Sequence, residues 1–231
     1  LEAMGCGEAR SIWYRNGNQW AHSLEDPVLQ QLADGISGLP LCIELPLPDG
    51  RRVGLIHAEV RVGTTWDDLR EVALGYRDAL DDAGCTNASA ALWGRSRLYA
   101  WAVSASTRDP AKLTPSRRAS VWRALQPVPD IDLIVAGHSV LAQKRPVTLA
   151  NFLWIETGAF LPEGRLSLVD LHHRQYWQVG HAGGKTRAIR RQPQPLPEPV
   201  TLSGHWRPSA EDLRLAHEED QQRLQKMLWR R

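Results

Sequence analysis

The chain has 231 residues, 42% of them apolar, with 28 Lys or Arg against 26 Asp or Glu and a formal charge of +2. That supplies apolar matter for a buried core, and the charge balance excludes the basic excess of a dedicated nucleic-acid or anionic-membrane binder. No stretch approaches the roughly 18 uninterrupted apolar residues of a membrane span, and the start lacks a basic region with an apolar signal core.

In chain order, "LEAMGCGEARSIW" has helical spacing with neither a Met start nor a cap, which reads as a chain whose beginning is missing. Val28, Leu29, Leu32 and Ile36 predict a short helix from Asp26 to Ile36, stopped by Gly38 ahead of Pro40. "LCIEL" and "RRVGLIH" flank the turn-forming "PLPDG" and predict an antiparallel hairpin that ends on His57. Trp66, Leu69, Ala73, Tyr76 and Leu80 recur at helical spacing, with Thr64 and Asp67 placed as a capping box. "ALWGRSRLYAW" reads as a loop, and a helix is expected from Ser116 to Leu125, closed by "QPVPD". "IDLIVAGHS" is an apolar run of buried-strand type that ends, like the first hairpin, on a histidine, His138. Further strands are expected at Phe152 to Glu156, Arg165 to Leu171 and Tyr176 to Val179. The Gly-, Arg- and Pro-rich segment over 183–207 reads as an extended linker between a domain over 1–182 and a terminal amphipathic helix over 208–231, capped by Ser209. In that helix Leu213, Ala216, Leu224, Met227 and Leu228 form an interrupted apolar stripe.

The three cysteines, Cys6, Cys42 and Cys85, are odd in number and form no C-x-x-C pair, so free thiols and a cytoplasmic location are expected. Histidine is a metal ligand because neutral imidazole donates a lone pair, and a strand end fixes where that lone pair points. Two strands ending in His57 and His138 could converge on one ion; the plainer reading of either one is a hydrogen-bonded strand-end side chain. Arg95, in "LWGR", offers a planar fork of donors matched to phosphate oxygens, and alone it reads as a surface ion-pair partner. His172 and His173 are excluded as a chelating pair if they lie on a strand, because adjacent side chains then point to opposite faces.

The order and spacing of "RNGNQWAHSL", "GLPLCIEL", "VGLIHAEV", "ALWGR", "VAGHSV", "LWIETGAF" and "GRLSLVDL" resemble the C-terminal half of a bacterial or phage-type serine/threonine protein phosphatase of the calcineurin-like metallophosphoesterase superfamily. The likeness runs from Leu1 to Leu171. It implies an α+β fold, a β-sandwich flanked by helices in αββα layers, with the N-terminal strands and metal motifs missing and the C-terminal helix added.

The activity implied is metal-dependent phosphoric monoester hydrolysis, in which two divalent ions, Mn²⁺ first and Fe or Zn as alternatives, activate a hydroxide that attacks phosphorus in line. In that resemblance His57 and His138 are metal ligands, Arg95 binds substrate phosphate, and Glu156, standing where the family has aspartate, supports the ligands from behind. Substrates would be phosphoproteins or small phosphoesters, with no membrane or nucleic-acid partner. The family's earlier motifs, G-D-x-H-G, G-D-x-x-D-R-G and G-N-H-E, are absent, and the sequence contains no G-D dipeptide. The general acid is therefore expected upstream of Leu1 and the chain alone is expected to be inactive. The competing reading is a non-catalytic phosphatase-like binding or regulatory module.

Overall fold

Residues 18–75, 82–182, 185–188 and 192–218 are described by the structure, a computed structural model. The opening "LEAMG" segment, Tyr76 and Leu80 of the predicted helix, and Leu224, Met227 and Leu228 of the terminal stripe lie outside the described residues. The chain divides into two compact units, 1–40 and 41–231. In the first, α1 (Asp26–Ser37) forms where the apolar spacing predicts it, with Pro27 in its first turn, where the missing N–H costs nothing. Gly38 ends it, its N–H bonded back to Gly35 and Ile36. None of the α1 residues is buried.

The second unit is built on a five-stranded sheet in the order β1-β2-β3-β5-β4. Strands β1 (Cys42–Pro46) and β2 (Arg52–Ile56) pair antiparallel across the Pro-Asp-Gly turn, where Gly50 takes φ 86°. Strand β3 (Leu133–Ala136) runs parallel to β2, and β5 (Phe152–Trp154) parallel to β3. Strand β4 (Val147–Leu149), absent from the sequence expectation because three residues carry no readable alternation, closes the far edge antiparallel to β5.

The sheet buries both faces, which is why its central strands read as unbroken apolar runs. One face carries Ile56, Ile134, Ala136, Phe152 and Trp154 into a cluster with Trp66, Leu69, Ala91 and Leu141. Its helical cover comes from α2 (Trp66–Gly75), α3 (Asp82–Trp93) and α4 (Ser96–Ser106), with α5 (Pro115–Ala124) packed beyond α4. The alternate residues, Val53, Val135 and Leu153, point the other way, into a cluster with Leu196, Val169, Leu171 and Tyr176. Those partners belong to a second sheet of β6 (Arg165–Asp170), β7 (Gln175–Ala182), β8 (Lys185–Ala188) and β9 (Gln194–Pro195), and to its flanks. The fold is α+β, two sheets face to face with helices over one of them.

Three local expectations change. "ALWGRSRLYAW" is not a loop: Trp93 ends α3, Ser96 begins α4, and only Gly94 and Arg95 separate them. The capping box sits one residue later than expected, with Asp68 accepting from the Thr65 N–H at 2.7 Å and Thr65 Oγ1 accepting from the Asp68 N–H at 3.0 Å. The segment expected as a linker is partly sheet: β8 and β9 both pair with β7, Val200 bridges to Leu149, and Leu196 is buried. Proline is tolerated there because these strands sit at an edge. The terminal cap holds, since Ser209 and Asp212 exchange hydrogen bonds at 2.7 and 3.1 Å at the head of a helix over 210–218, and Asp212 also pairs with Arg118 of α5.

Trp66 is the keystone of the helical face. Its ring is fully buried, and its indole N–H donates to Glu44 Oε2 at 2.8 Å, a carboxylate held below the ordinary range chiefly by the Arg52 guanidinium. Glu44 stands opposite Gly54 in the β1/β2 register, and a Cβ on Gly54 would lie 2.4 Å from the Trp66 ring. Glycine at 54 therefore makes the room that lets the indole reach across β2 to β1. Gly54→Ala is expected to lower stability by about 1–3 kcal/mol through overpacking, read as a shifted midpoint in urea unfolding.

Candidate functional site

Parallel pairing places the carboxyl ends of β2, β3 and β5 side by side, in the register Ile56, Ala136, Trp154. Ligands of open α/β sheets bind beyond the carboxyl ends of strands, where the chain leaves the ladder and side chains are free to converge. His57 is the residue after β2, His138 follows β3 by two and Glu156 follows β5 by two. The Gly137 N–H donates to the His57 carbonyl at 3.0 Å, extending the ladder by one rung and fixing the two exits against each other. His138 then turns sharply, with φ 62°, a left-handed conformation that costs a non-glycine residue on the order of 1 kcal/mol.

That turn swings His138 onto His57. His57 Nε2 and His138 Nδ1 stand 3.0 Å apart, with one ring nitrogen donating to the other, and the ring centroids are 4.8 Å apart. Trp93, at the end of α3, meets the His138 ring edge to face at 5.6 Å. The far nitrogen, His138 Nε2, is buried and has no hydrogen-bond partner among the described residues. Glu156 Oε1 accepts from the Gly158 N–H at 2.6 Å, and the Glu156 carbonyl accepts from Leu141, so its backbone and carboxylate are both held. Behind it, Thr157 Oγ1 donates to the Arg165 carbonyl at 2.5 Å, and Ser167 and Gln178 continue the chain of bonds into β6 and β7. The second sheet thus anchors the third wall of the corner.

The imidazole of His138 is held below its ordinary pKa, first by desolvation, then by the positive charges of Arg95 and His57, with the Glu156 carboxylate opposing. Of the four residues singled out in the sequence, His57 and His138 are in contact, and the charges of Arg95 and Glu156 act on His138. Among the described residues there is no group of three or more His, Cys, Asp or Glu side chains able to hold a metal ion. His172 and His173 lie in the β6–β7 turn and not on a strand, so the opposite-face argument does not apply; their rings meet edge to face at 4.7 Å, and His173 Nδ1 stands 2.7 Å from Asp170.

Sequence reasoning missed two neighbours. Glu59, 2% exposed, accepts from the Ser96 N–H at 2.9 Å and the Arg97 N–H at 3.0 Å. With Arg61, Ser89, Trp93 and Ser96 it lines a cavity of about 420 Å³ that shares the Trp93 wall with the histidine corner. The signal was a carboxylate two residues beyond a strand-end histidine, in a segment otherwise apolar. Beneath lies Arg97, 4% exposed, donating to the carbonyls of Val60, Ala124 and Gln126 and stacked 4.9 Å over Phe152. Burial lowers its pKa to about 10, with Glu59 opposing, so the guanidinium stays charged at neutral pH.

No protein-family model matches the chain, and no curated protein is significantly similar to it. What this geometry defines is an α+β sandwich with an imidazole pair at the carboxyl edge of its mixed sheet.

Two outcomes follow. Arg97→Met strips the charged donor from three carbonyls and is expected to cost about 3–5 kcal/mol, measured by chemical denaturation. Folded His138 takes up a proton less readily than the unfolded residue, so protonation favours unfolding. Stability is present above the unfolded imidazole value of about 6.5 and is lost as pH falls from there through the lower folded value. In Arg95→Ala one cause of the depression is gone, and the His138 midpoint followed by proton NMR rises; an unmoved midpoint separates Arg95 from the corner.

Proposed function

We propose that the chain carries one wall of a metal-dependent phosphoric monoester hydrolase site of the serine/threonine protein phosphatase type, on a sandwich of the calcineurin-like kind. The observation that carries this reading is the 3.0 Å separation of His57 Nε2 and His138 Nδ1. Two nitrogens bound to one ion at about 2.1 Å and about 90° to each other stand about 3.0 Å apart, so the donor pair fits a shared divalent ion, Mn²⁺ first and Fe or Zn as alternatives. Divalent ions in a site of this kind polarise phosphoryl oxygens and provide a nucleophile at neutral pH.

The chain's own residues have separate tasks. To hold one ion, the donor ring of His57 and His138 would shift its shared proton to its other nitrogen and both lone pairs would turn to the same point. Added protons compete with an ion for those lone pairs, so metal affinity falls as pH falls. Arg95 takes a phosphate oxygen with its fork of donors, and Glu156 balances part of the positive charge around His138. Trp93 and the cavity beside it leave room for the rest of a phosphoester, a phosphoprotein side chain or a small molecule. Two imidazoles do not complete a site for hard cations that want about six ligands, and the carboxylates of the G-D-x-H-G and G-D-x-x-D-R-G motifs are not in this sequence. Ligand binding without turnover is the expected behaviour of the chain by itself.

A second reading, a non-catalytic phosphatase-like binding or regulatory module, is favoured by the same contact seen differently: the two rings already satisfy one another by a hydrogen bond. Mn²⁺ titration followed by NMR separates the two. The phosphatase reading expects selective broadening of the His57 and His138 ring signals, lost in His57→Ala, and no hydrolysis of p-nitrophenyl phosphate. Ring signals untouched by millimolar Mn²⁺ leave the module reading.

A further inference from the structure

The break between α3 and α4 is two residues long, Gly94 and Arg95, and the dipeptide Ala58–Glu59 closes it from both sides. On the α3 side, the Ala58 N–H donates to the Ala91 carbonyl at 2.8 Å and the Glu59 N–H to the Ala90 carbonyl at 3.3 Å, satisfying acceptors at the end of that helix. On the α4 side, the Glu59 carboxylate gives one oxygen to the Ser96 N–H and the other to the Arg97 N–H, an N-cap supplied from another part of the chain. The residue in the cap position, Arg95, makes no capping bond with its own side chain and is left exposed. Negative charge at a helix N-terminus is favoured there, and the site is dry enough for the interaction to count.

The arrangement is tight as well as bonded. A Cβ on Gly94 would come 2.3 Å from Glu59 Cγ, so the carboxylate arm passes directly over the glycine that precedes Arg95. His57 is the residue before Ala58, and its carbonyl is tied to Gly137, next to His138. One short path of covalent and hydrogen bonds therefore runs from the imidazole pair through Ala58 and Glu59 to the backbone that carries Arg95.

We infer that Glu59 is the positioning residue that fixes Arg95 relative to His57 and His138, setting the separation between phosphate-binding and imidazole groups. This rests on the reading of Arg95 as a phosphate ligand. Glu59 touches no substrate in this role; it acts through the two N–H groups that follow Arg95.

Inorganic phosphate is the probe, titrated into the full chain by NMR, with Mn²⁺ broadening of the two histidine rings recorded in parallel. Glu59→Gln keeps the shape but offers only one acceptor oxygen and no charge. Its phosphate affinity is expected to fall about tenfold, approaching that of Arg95→Ala, with histidine broadening unchanged and Glu59→Asp recovering part of the loss. A merely structural role for Glu59 predicts loss of phosphate and Mn²⁺ responses together with the melting temperature, and no recovery in Glu59→Asp beyond its recovery of stability; that pattern overturns the inference. So does a Glu59→Gln affinity within twofold of the parent when Arg95→Ala has lost binding. If Arg95→Ala binds phosphate as the parent does, Arg95 is not the ligand, and the phosphate-site reading falls, taking the role of Glu59 with it. Should Glu59→Gln not fold, Glu59→Asp carries the comparison alone, expected to lie between the parent and Arg95→Ala.

Discussion

The parallel pairing of β2, β3 and β5 is the constraint on which the rest depends. Antiparallel neighbours put the end of one strand beside the start of the next, whereas parallel neighbours put all their ends in one row. His57, His138 and Glu156 share a corner because three ladders end together there. The same pairing demands a long crossover from β2 back to β3, and that crossover contains α2 to α5, the helices that bury one face of the sheet. Arg95 and Glu59 are products of this arrangement: one stands at a break in the crossover, the other on the strand exit that the break packs against.

Much of this was legible from residues alone, for identifiable reasons. The hairpin of β1 and β2 announced itself by a turn sequence between two β-rich runs, and His57 and His138 by their place at the ends of such runs. The packing of the crossover was not legible. "ALWGRSRLYAW" holds a glycine and an arginine where two helices meet, and the stabilising partner of that junction, Glu59, lies 37 residues away from Ser96. Spacing rules see neighbours along the chain and not a cap donated from a distance. The segment after Gly183 is not legible for a related reason: its prolines forbid a central strand but not an edge, and what fixes it is its pairing with β7. The capping box at Thr65 and Asp68 slipped by one because threonines at 64 and 65 each stand three residues ahead of an aspartate.

The corner also shows where local stability has been given up. His138 adopts a backbone conformation that favours glycine, and it buries a ring nitrogen with nothing to bond among the described residues. Lacking the opposing pull of Glu156, its imidazole would resist protonation still more strongly. Asn87 Oδ1 and Arg118 Nε are likewise buried without a hydrogen-bond partner among the described residues, whereas Arg97 finds three carbonyls, and Asn151 braces the loop before β3 with bonds to Val128 and Ile131. Among the described residues, a left-handed backbone and an unserved buried polar atom coincide at His138, a combination that costs stability.

The two imidazoles, separated by 81 positions, have a consequence for how the molecule is assembled. Their meeting requires the chain to return to β2 across the whole helical crossover, and closing so long a loop costs chain entropy before the contact repays it. An ion or anion held by the folded pair more tightly than by the unfolded chain would add that difference to the stability of the native state.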